Sequence, residues 1–179
     1  MPRQAMIHEL HAERDKPIVF AWLRSHLRWH LAAWCRAFGM YWNDADIDRH
    51  IDDHSLVLRD WDSLLAARNA DDQFVGVSRE GRRAVGIVWA KERVDPYLDV
   101  RIGVLAWLFV EPLSRGSGMS VLLIDAANQW MARRGVPAAE VFVTAENSAA
   151  VNAYRRAGYE MVDQRMIARI TARGSKRSE

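Results

Sequence analysis

The first part of the chain places its apolar residues at helical spacing, and the later part places them in alternation or in continuous runs. Residues 15–38 carry two apolar stripes and predict a long helix with Asp15 as N-cap and Gly39 at its end. Two stripes indicate burial on more than one side, or a helix that lines a groove or a dimer contact. Residues 45–68 predict a second helical region with a break near Ser55.

After residue 72 the apolar pattern is typical of β-strands. Strands are predicted over residues 73–79, 84–94, 100–110, 140–145 and 159–170, with helices over 117–134 and 148–156. This order predicts an α/β (α+β) fold with helices on both faces of one sheet. No linker or repeat divides the chain, so we expect one domain over residues 1–172. It would comprise a helical region over 1–70, a sheet core over 73–170 and then a flexible tail over 173–179.

Composition narrows the class of protein. The 179 residues are 50% hydrophobic, but no stretch reaches the roughly 20 apolar residues that a membrane helix needs. The N-terminus lacks the apolar core of a signal peptide, so a cytoplasmic protein is expected. A net charge of +2 without a clustered basic face makes nucleic acid an unexpected partner. The single cysteine, Cys35, is interpreted as a buried structural thiol.

Two polar clusters in the second helical region match metal-binding motifs only in part. His50 and His54 have a spacing that can bind a metal, but the glutamate of the His-Glu-x-x-His motif is missing. Asp44, Asp46 and Asp48 alternate as in a calcium loop, without its glycine and closing glutamate. A solvated helix start is the favoured interpretation, and no metal is predicted.

The segment over residues 109–120 carries the clearest chemistry. A buried strand ends at Pro112, and a loop of small residues opens directly into a helix. Such a turn directs backbone N–H groups and the positive end of the helix dipole toward one point. Gly116 and Gly118 allow close approach of a ligand, and Arg115 adds a full positive charge. The segment therefore predicts a phosphate or pyrophosphate site.

Two common phosphate-binding motifs do not fit this loop. A nucleotide P-loop needs Lys followed by Ser or Thr after the second glycine, where this chain has Met119 and Ser120. A dinucleotide fingerprint needs a third small residue where Val121 stands.

The motifs instead resemble those of the GNAT superfamily of acyl-CoA N-acyltransferases. The loop follows that family's Arg/Gln-x-x-Gly-x-Gly/Ala signature, with serine at the last position, Ser120. A second motif follows about 30 residues later, as Asn147, then Tyr154, then a Gly-Tyr pair in place of Gly-Phe. The resemblance covers roughly residues 73–165. It implies a GNAT-like mixed, mostly antiparallel twisted sheet of about six strands.

The resemblance also implies acetyl-CoA, or another acyl-CoA, as co-substrate. The implied cofactor-binding residues are Leu108, Phe109, Val110, Arg115, Gly116, Ser117, Gly118, Met119, Ser120, Asn147 and Tyr154. Backbone N–H groups near residues 108–110 would polarise the thioester carbonyl. Tyr154 would protonate the leaving thiolate, because a phenol keeps its proton at neutral pH.

The base that deprotonates the amine is less well defined. The central strand carries no carboxylate, and Glu92 and Asp99 are candidates, with Glu111 also near in sequence. Each has the alternative interpretation of a solvated charge at a strand end. His26 lies on an apolar stripe, which favours a packed core histidine.

The function implied is N-acetylation of a primary amine on a small molecule or a protein. The acidic residues of the second helical region hint at a cationic acceptor. A toxin-like enzyme that acetylates aminoacyl-tRNA is an alternative, and it would need a basic face built from residues such as Arg24, Arg28, Arg36 and Arg49. A catalytically silent acyl-CoA-binding sensor or interaction module is another. A homodimer is also an option.

Overall fold

Five strands form one sheet in the order β1-β2-β3-β4-β5 in the computed structural model, which describes residues 6–169. The strands are β1 (Ile7–Glu9), β2 (Gln73–Glu80), β3 (Arg83–Asp95), β4 (Val100–Val110) and β5 (Ala139–Val141). The helices are α1 (Ala12–Phe38), α2 (Asp44–Asp53), α3 (Leu56–Arg68), α4 (Met119–Arg133) and α5 (Ser148–Arg156). A 3-10 turn, Pro112–Ser114, follows β4.

The sheet is mostly antiparallel, as expected. Strands β1 to β4 pair antiparallel in sequence order, and β5 pairs parallel to β4. Two cores flank the sheet. One packs α1, α2 and α3 against one face, and the other packs α4 and α5 against the opposite face. The predicted α/β class, with helices on both faces, is confirmed.

Several predicted boundaries were wrong. The strand expected over 140–145 is limited to β5, and residues 159–169 contain no strand. The short strand β1 was missed because three residues are too few to show a period. The sheet therefore has five strands within residues 6–169, against about six expected. The predicted tail over 173–179 lies outside the described residues.

The first helix begins earlier than predicted. His11 is its N-cap, and the His11 side chain accepts a hydrogen bond from the Arg14 backbone N–H. Asp15 is therefore not the cap. It lies buried in the first turn, where its carboxylate accepts hydrogen bonds from both terminal nitrogens of Arg79 on β2. Burial alone would raise the pKa of Asp15. Hydrogen bonds from Arg79 and the His11 N–H outweigh burial and lower that pKa.

The break between the second and third helices falls where it was predicted. Ser55 has φ of +50°, a left-handed conformation that interrupts the helical backbone between α2 and α3.

Cys35 is buried in α1, in keeping with a structural thiol. Of the helices within residues 6–169, none combines the length and the apolar character that a membrane crossing requires.

Helix α4 packs very close to the centre of the sheet. A Cβ added at Gly103 of β4 would collide with the sulfur of Met131, so a larger residue there would displace the Met131 side chain. The C-terminal half of α4 thus packs closely on β4. The N-terminal end of the same helix is thereby held beside the end of β4.

The buried ion pair predicts a large loss of stability for Asp15→Asn. The variant leaves the Arg79 guanidinium buried without a counter-charge, so we expect the free energy of unfolding at pH 7 to fall by ~3–5 kcal/mol in urea titrations. The exposed Asp62 provides a control, because Asp62→Asn makes the same chemical change at the surface. A loss for Asp15→Asn no larger than that of the control would contradict the account.

The same pair predicts a pH dependence. Because the folded-state pKa of Asp15 is below its ordinary value of 3.8, its contribution is fully present above that value. The contribution is lost as pH falls through the lowered pKa. The stability difference between the wild type and Asp15→Asn should therefore stay constant above that range and shrink only below it.

Candidate active site at the sheet opening

The sheet opens between β4 and β5. Their parallel pairing covers Gly103 to Leu105 and then stops. The β3–β4 register shifts at Ala106, because Trp89 pairs with Trp107 while the next residue, Ala90, pairs with Leu105. Ala106 therefore has no partner on β3, and it is exposed in the middle of β4. Within residues 6–169, no strand pairs with residues 106–110 on the side away from β3. We call this free backbone edge the sheet opening.

A glycine loop over residues 115–118 connects β4 to α4 beside this opening. Gly116 and Gly118 have φ of +79° and +85°, a region that favours glycine. A Cβ added at either glycine would meet no described atom within 4 Å, so the loop faces open space. Gly118 is the N-cap of α4, and no described side chain caps the helix. The first backbone N–H groups of α4 are thus available to an anion.

At the loop and the start of α4, one side chain is exposed and charged, whereas others are held by the protein itself. Arg115 is exposed, donates from Nε to the Val110 carbonyl oxygen at 3.1 Å, and lies over the Phe109 ring. The Ser117 hydroxyl donates to the Ser114 carbonyl oxygen, which braces the turn. The Met119 side chain is buried in the core, so this residue can offer a ligand only its backbone N–H.

Asn147 immediately precedes α5 and Tyr154 lies within that helix, which packs beside α4. Asn147 is the N-cap of α5, and its side-chain oxygen accepts from the Ala150 N–H at 3.1 Å. Its amide NH₂ keeps its capacity to donate. Tyr154 is buried in the core that α4 and α5 form with the sheet. Burial raises the pKa of Tyr154 to about 12.

The two carboxylates predicted as bases are not brought to the opening. Glu92 on β3 pairs with Arg101 and Arg134, and Arg134 follows the far end of α4. The length of that 15-residue helix, about 22 Å, separates Glu92 from the glycine loop. Asp99 lies in the exposed β3–β4 turn with φ of +51°. Glu111 is near the loop but pairs with Arg83.

An aromatic row on α1 faces the same region. His26, His30, Trp34 and Phe38 form successive ring contacts with centroids 5.9, 5.8 and 5.4 Å apart. We call these four residues the α1 ladder. His26 also contacts Trp107 of β4 edge-on, at 6.0 Å.

His26 is half-buried and packs on the buried Trp107 ring of β4, in keeping with the packed histidine that the sequence predicted. Of the four ladder residues, Trp34 and Phe38 belong to neither of the two hydrophobic cores within residues 6–169. The first three are half-buried and Phe38 is 51% exposed. Burial, with a smaller contribution from His30, lowers the pKa of His26 to about 4. Burial also lowers the pKa of His30, so both rings are neutral at neutral pH.

The remaining histidines lie elsewhere, on α2. The His50 and His54 rings are 4.2 Å apart, and His54 Nδ1 lies 3.0 Å from the His50 carbonyl oxygen. No third metal-ligating side chain joins them within the described residues.

Comparison with known proteins agrees with this geometry. The acetyltransferase (GNAT) family model matches residues 27–159. A mycothiol acetyltransferase of Streptomyces bingchenggensis (strain BCW-1) is 30% identical over 128 residues, which are 72% of this chain and 39% of that protein. The chain thus spans about two-fifths of the length of the curated relatives it matches.

Solved structures with this fold include enzymes and a protein of another kind. AAC(6')-Iy bound to the bisubstrate analogue CoA-S-monomethyl-acetylneamine has a TM-score of 0.62 at 19% identity, over 94% of this chain and 99% of that one. A transcriptional regulator from Bacillus halodurans C-125 has a TM-score of 0.67 at 12% identity, over 93% and 100%. At these identities the likeness concerns the fold alone.

The chain belongs to the acetyltransferase (GNAT) family. Membership confirms the resemblance drawn from the two motifs, and the fold that it implied. The family is described as one of acetyltransferases, which is the class of enzyme that the two motifs predicted.

The burial of Tyr154 predicts an unusual titration. The pH-dependent ultraviolet difference spectrum between the wild type and Tyr154→Phe should show one phenolate forming near pH 12 instead of near the ordinary value of 10. If the transition that Tyr154→Phe lacks lies instead near pH 10, the Tyr154 ring is more hydrated than the structure shows.

Proposed function

We propose that this chain transfers an acetyl group from acetyl-CoA to a primary amine at the sheet opening. The observation that carries the proposal is the adjacency of two features. A free strand edge over residues 106–110 lies directly beside a glycine loop with uncapped helix N–H groups. The first suits an extended amide-bearing arm, and the second suits a pyrophosphate.

The described residues fit acetyl-CoA in both respects. The N–H groups of residues 116–120 would hold the pyrophosphate, and Arg115 would turn from Phe109 to add its charge. Leu108, Phe109 and Val110 would offer backbone groups to the pantetheine arm, and the Asn147 NH₂ would donate to it from the other side. A groove that begins at Gly118 continues between α4 and α5. Arg156 lines this groove, and its positive charge would attract the phosphate of CoA that is not part of the pyrophosphate.

The reaction would proceed by direct attack. A free amine nitrogen bonds to the thioester carbonyl carbon, and β4 N–H groups near the register shift stabilise the oxyanion. The carbon–sulfur bond then breaks, and Tyr154 gives its proton to the departing thiolate. The acetylated nitrogen then loses its surplus proton. Tyr154 takes up one proton, which restores its phenol for the next turnover. Since Glu92 lies at the far end of β3 in two ion pairs, water is the best-supported carrier of the amine's first proton.

The alternative of an aminoacyl-tRNA acceptor finds less support. The four arginines that would build a basic face are engaged with carboxylates. Arg24 and Arg28 bind Asp48 and Asp52, Arg49 binds Asp46, and Arg36 binds Glu146. These pairs reduce the net positive field that phosphate recognition would need. A silent acyl-CoA-binding module is the second alternative, and turnover experiments distinguish it from an enzyme.

Three further expectations are part of the proposal. A small-molecule or protein amine is the acceptor, and the protein acts in the cytoplasm. A homodimer is supported by the exposure of apolar residues after β5, with Phe142, Val162 and Met166 each at least 84% exposed.

Calorimetric titration of acetyl-CoA into Arg115→Glu tests the glycine loop. The variant replaces an attractive charge with a repulsive one, so we expect affinity to fall by at least about tenfold. Arg133→Glu makes the same charge change at the exposed far end of α4 and should bind as the wild type does. Equal losses in both variants would mean that only overall charge matters, and the loop assignment would be wrong.

Steady-state kinetics of Tyr154→Phe test the acid. Loss of proton donation should lower kcat by about 100-fold while the KM for acetyl-CoA stays within about threefold. Tyr159→Phe is the matched control, because the Tyr159 hydroxyl donates to Asn128 and lies outside the proposed chemistry. A similar fall in kcat for both variants would point to a packing effect and remove Tyr154 from the mechanism.

A further inference from the structure

The sheet opening faces the stretch of chain over residues 142–147, which leads from β5 to α5 and which we call the β5–α5 segment. The β4 edge and this segment separate beyond Leu105 and Val141, where the parallel pairing ends. Val143 packs the segment into the core that contains α4. Within residues 6–169 no strand pairing joins the segment to the β4 edge, so their separation depends on other contacts.

Helix α1 contacts both sides of this gap from the face of the sheet opposite α4. On the β4 side, Trp22 stacks on Phe109 with ring centroids 5.4 Å apart. On the other side, the Arg36 guanidinium lies 2.7 Å from a carboxylate oxygen of Glu146 in the β5–α5 segment. About 21 Å of continuous helix separates Trp22 from Arg36. Because an α-helix is stiff over this length, α1 links the two sides and is attached at each.

The position of Glu146 is coupled to that of Asn147, whose side-chain NH₂ is proposed to donate to the pantetheine arm. Both residues belong to one tight turn. The Asn147 N–H donates to the Thr144 carbonyl oxygen at 2.8 Å, and the Ser148 N–H donates to the Glu146 carbonyl oxygen at 3.0 Å. A displacement of Glu146 therefore moves the Asn147 amide. Helix α5 keeps its cap, because the bond from the Ala150 N–H to Asn147 lies within the same turn.

The chain that follows α5 holds the same end of α1. The Arg165 guanidinium lies 4.6 Å over the Trp34 ring, and Arg169 donates to the Arg36 carbonyl oxygen at 2.8 Å. The second of these bonds involves only the backbone of Arg36. The end of α1 therefore keeps this support when the Arg36 side chain is changed, and a variant at this position tests the guanidinium alone.

We propose that the ion pair between Arg36 and Glu146 holds the β5–α5 segment where Asn147 meets the pantetheine arm of acetyl-CoA. Arg36 and Glu146 are thus positioning residues that act through Asn147. This inference rests on the proposed acetyltransferase function. The two side chains are 59% and 61% exposed, and an exposed ion pair contributes little to the free energy of unfolding. Its effect is therefore on the affinity for acetyl-CoA, within a few-fold, and not on folding.

A double-mutant cycle measured by calorimetry with acetyl-CoA tests the pair. Arg36→Met and Glu146→Met each remove one charge and keep a side chain of similar length. Each single variant should bind acetyl-CoA about threefold more weakly than the wild type, and the double variant no more weakly than either single variant. Arg28→Met is the matched control. It removes the same charge from an exposed ion pair of α1, with Asp48, and should bind as the wild type does.

The direction of the change in Glu146→Met separates positioning from simple electrostatic attraction. CoA is an anion, so removal of a nearby carboxylate would strengthen its binding if only the overall charge mattered. The proposal requires weaker binding instead. In steady-state assays the KM for acetyl-CoA should rise about threefold, while kcat stays within about twofold because Tyr154 is unaffected. The thermal midpoints should stay within about 2 °C of the wild type.

The series distinguishes failure of the pair from failure of the proposed function. If the wild type binds no acetyl-CoA, the proposed function fails and the role of the pair fails with it. If acetyl-CoA binds, tighter binding by Glu146→Met, losses that add in the double variant, or an equal loss in Arg28→Met would each overturn this inference alone. Thermal midpoints lowered by more than about 5 °C in both single variants would assign the pair to folding and overturn it as well.

Discussion

The candidate site depends on the point at which β4 loses its neighbour. Parallel pairing with β5 lasts only from Gly103 to Leu105, and the register shift opposite Ala106 marks its end. A strand in the middle of a sheet has its backbone groups satisfied on both sides, whereas residues 106–110 are satisfied on one side only. A ligand with amide groups can complete this edge. The glycine loop follows the same strand, so one chain segment supplies both the edge and the anion site.

The surrounding structure keeps this arrangement in place. Buried residues of α4, including Met131 beside Gly103, pack this helix against the sheet, with its N-terminal N–H groups near the end of β4. On the other face the buried pair between Asp15 and Arg79 ties the start of α1 to β2. The ladder residues then lie over the opening as a consequence of helix periodicity. The two walls of the site are thus positioned by separate cores, one on each face of the sheet.

The sequence predicted the parts of the site that depend on local chemistry. Positive-φ glycines, a helix start and an Asn N-cap are encoded within a few residues, so the glycine loop and α5 were placed correctly. Long-range pairing was less accessible. Glu92 was a plausible base along the chain, but two arginines from other elements hold it at the distant end of β3. The partner of Asp15 is likewise 64 residues away, which explains its misassignment as a cap.

Hydrogen–deuterium exchange with and without acetyl-CoA tests most directly whether the free β4 edge and the glycine loop form one binding site. The account predicts slower exchange in peptides covering residues 106–110 and 116–122, with β2 unchanged as an internal reference. Protection confined to other segments, or no protection at saturating acetyl-CoA, would contradict it.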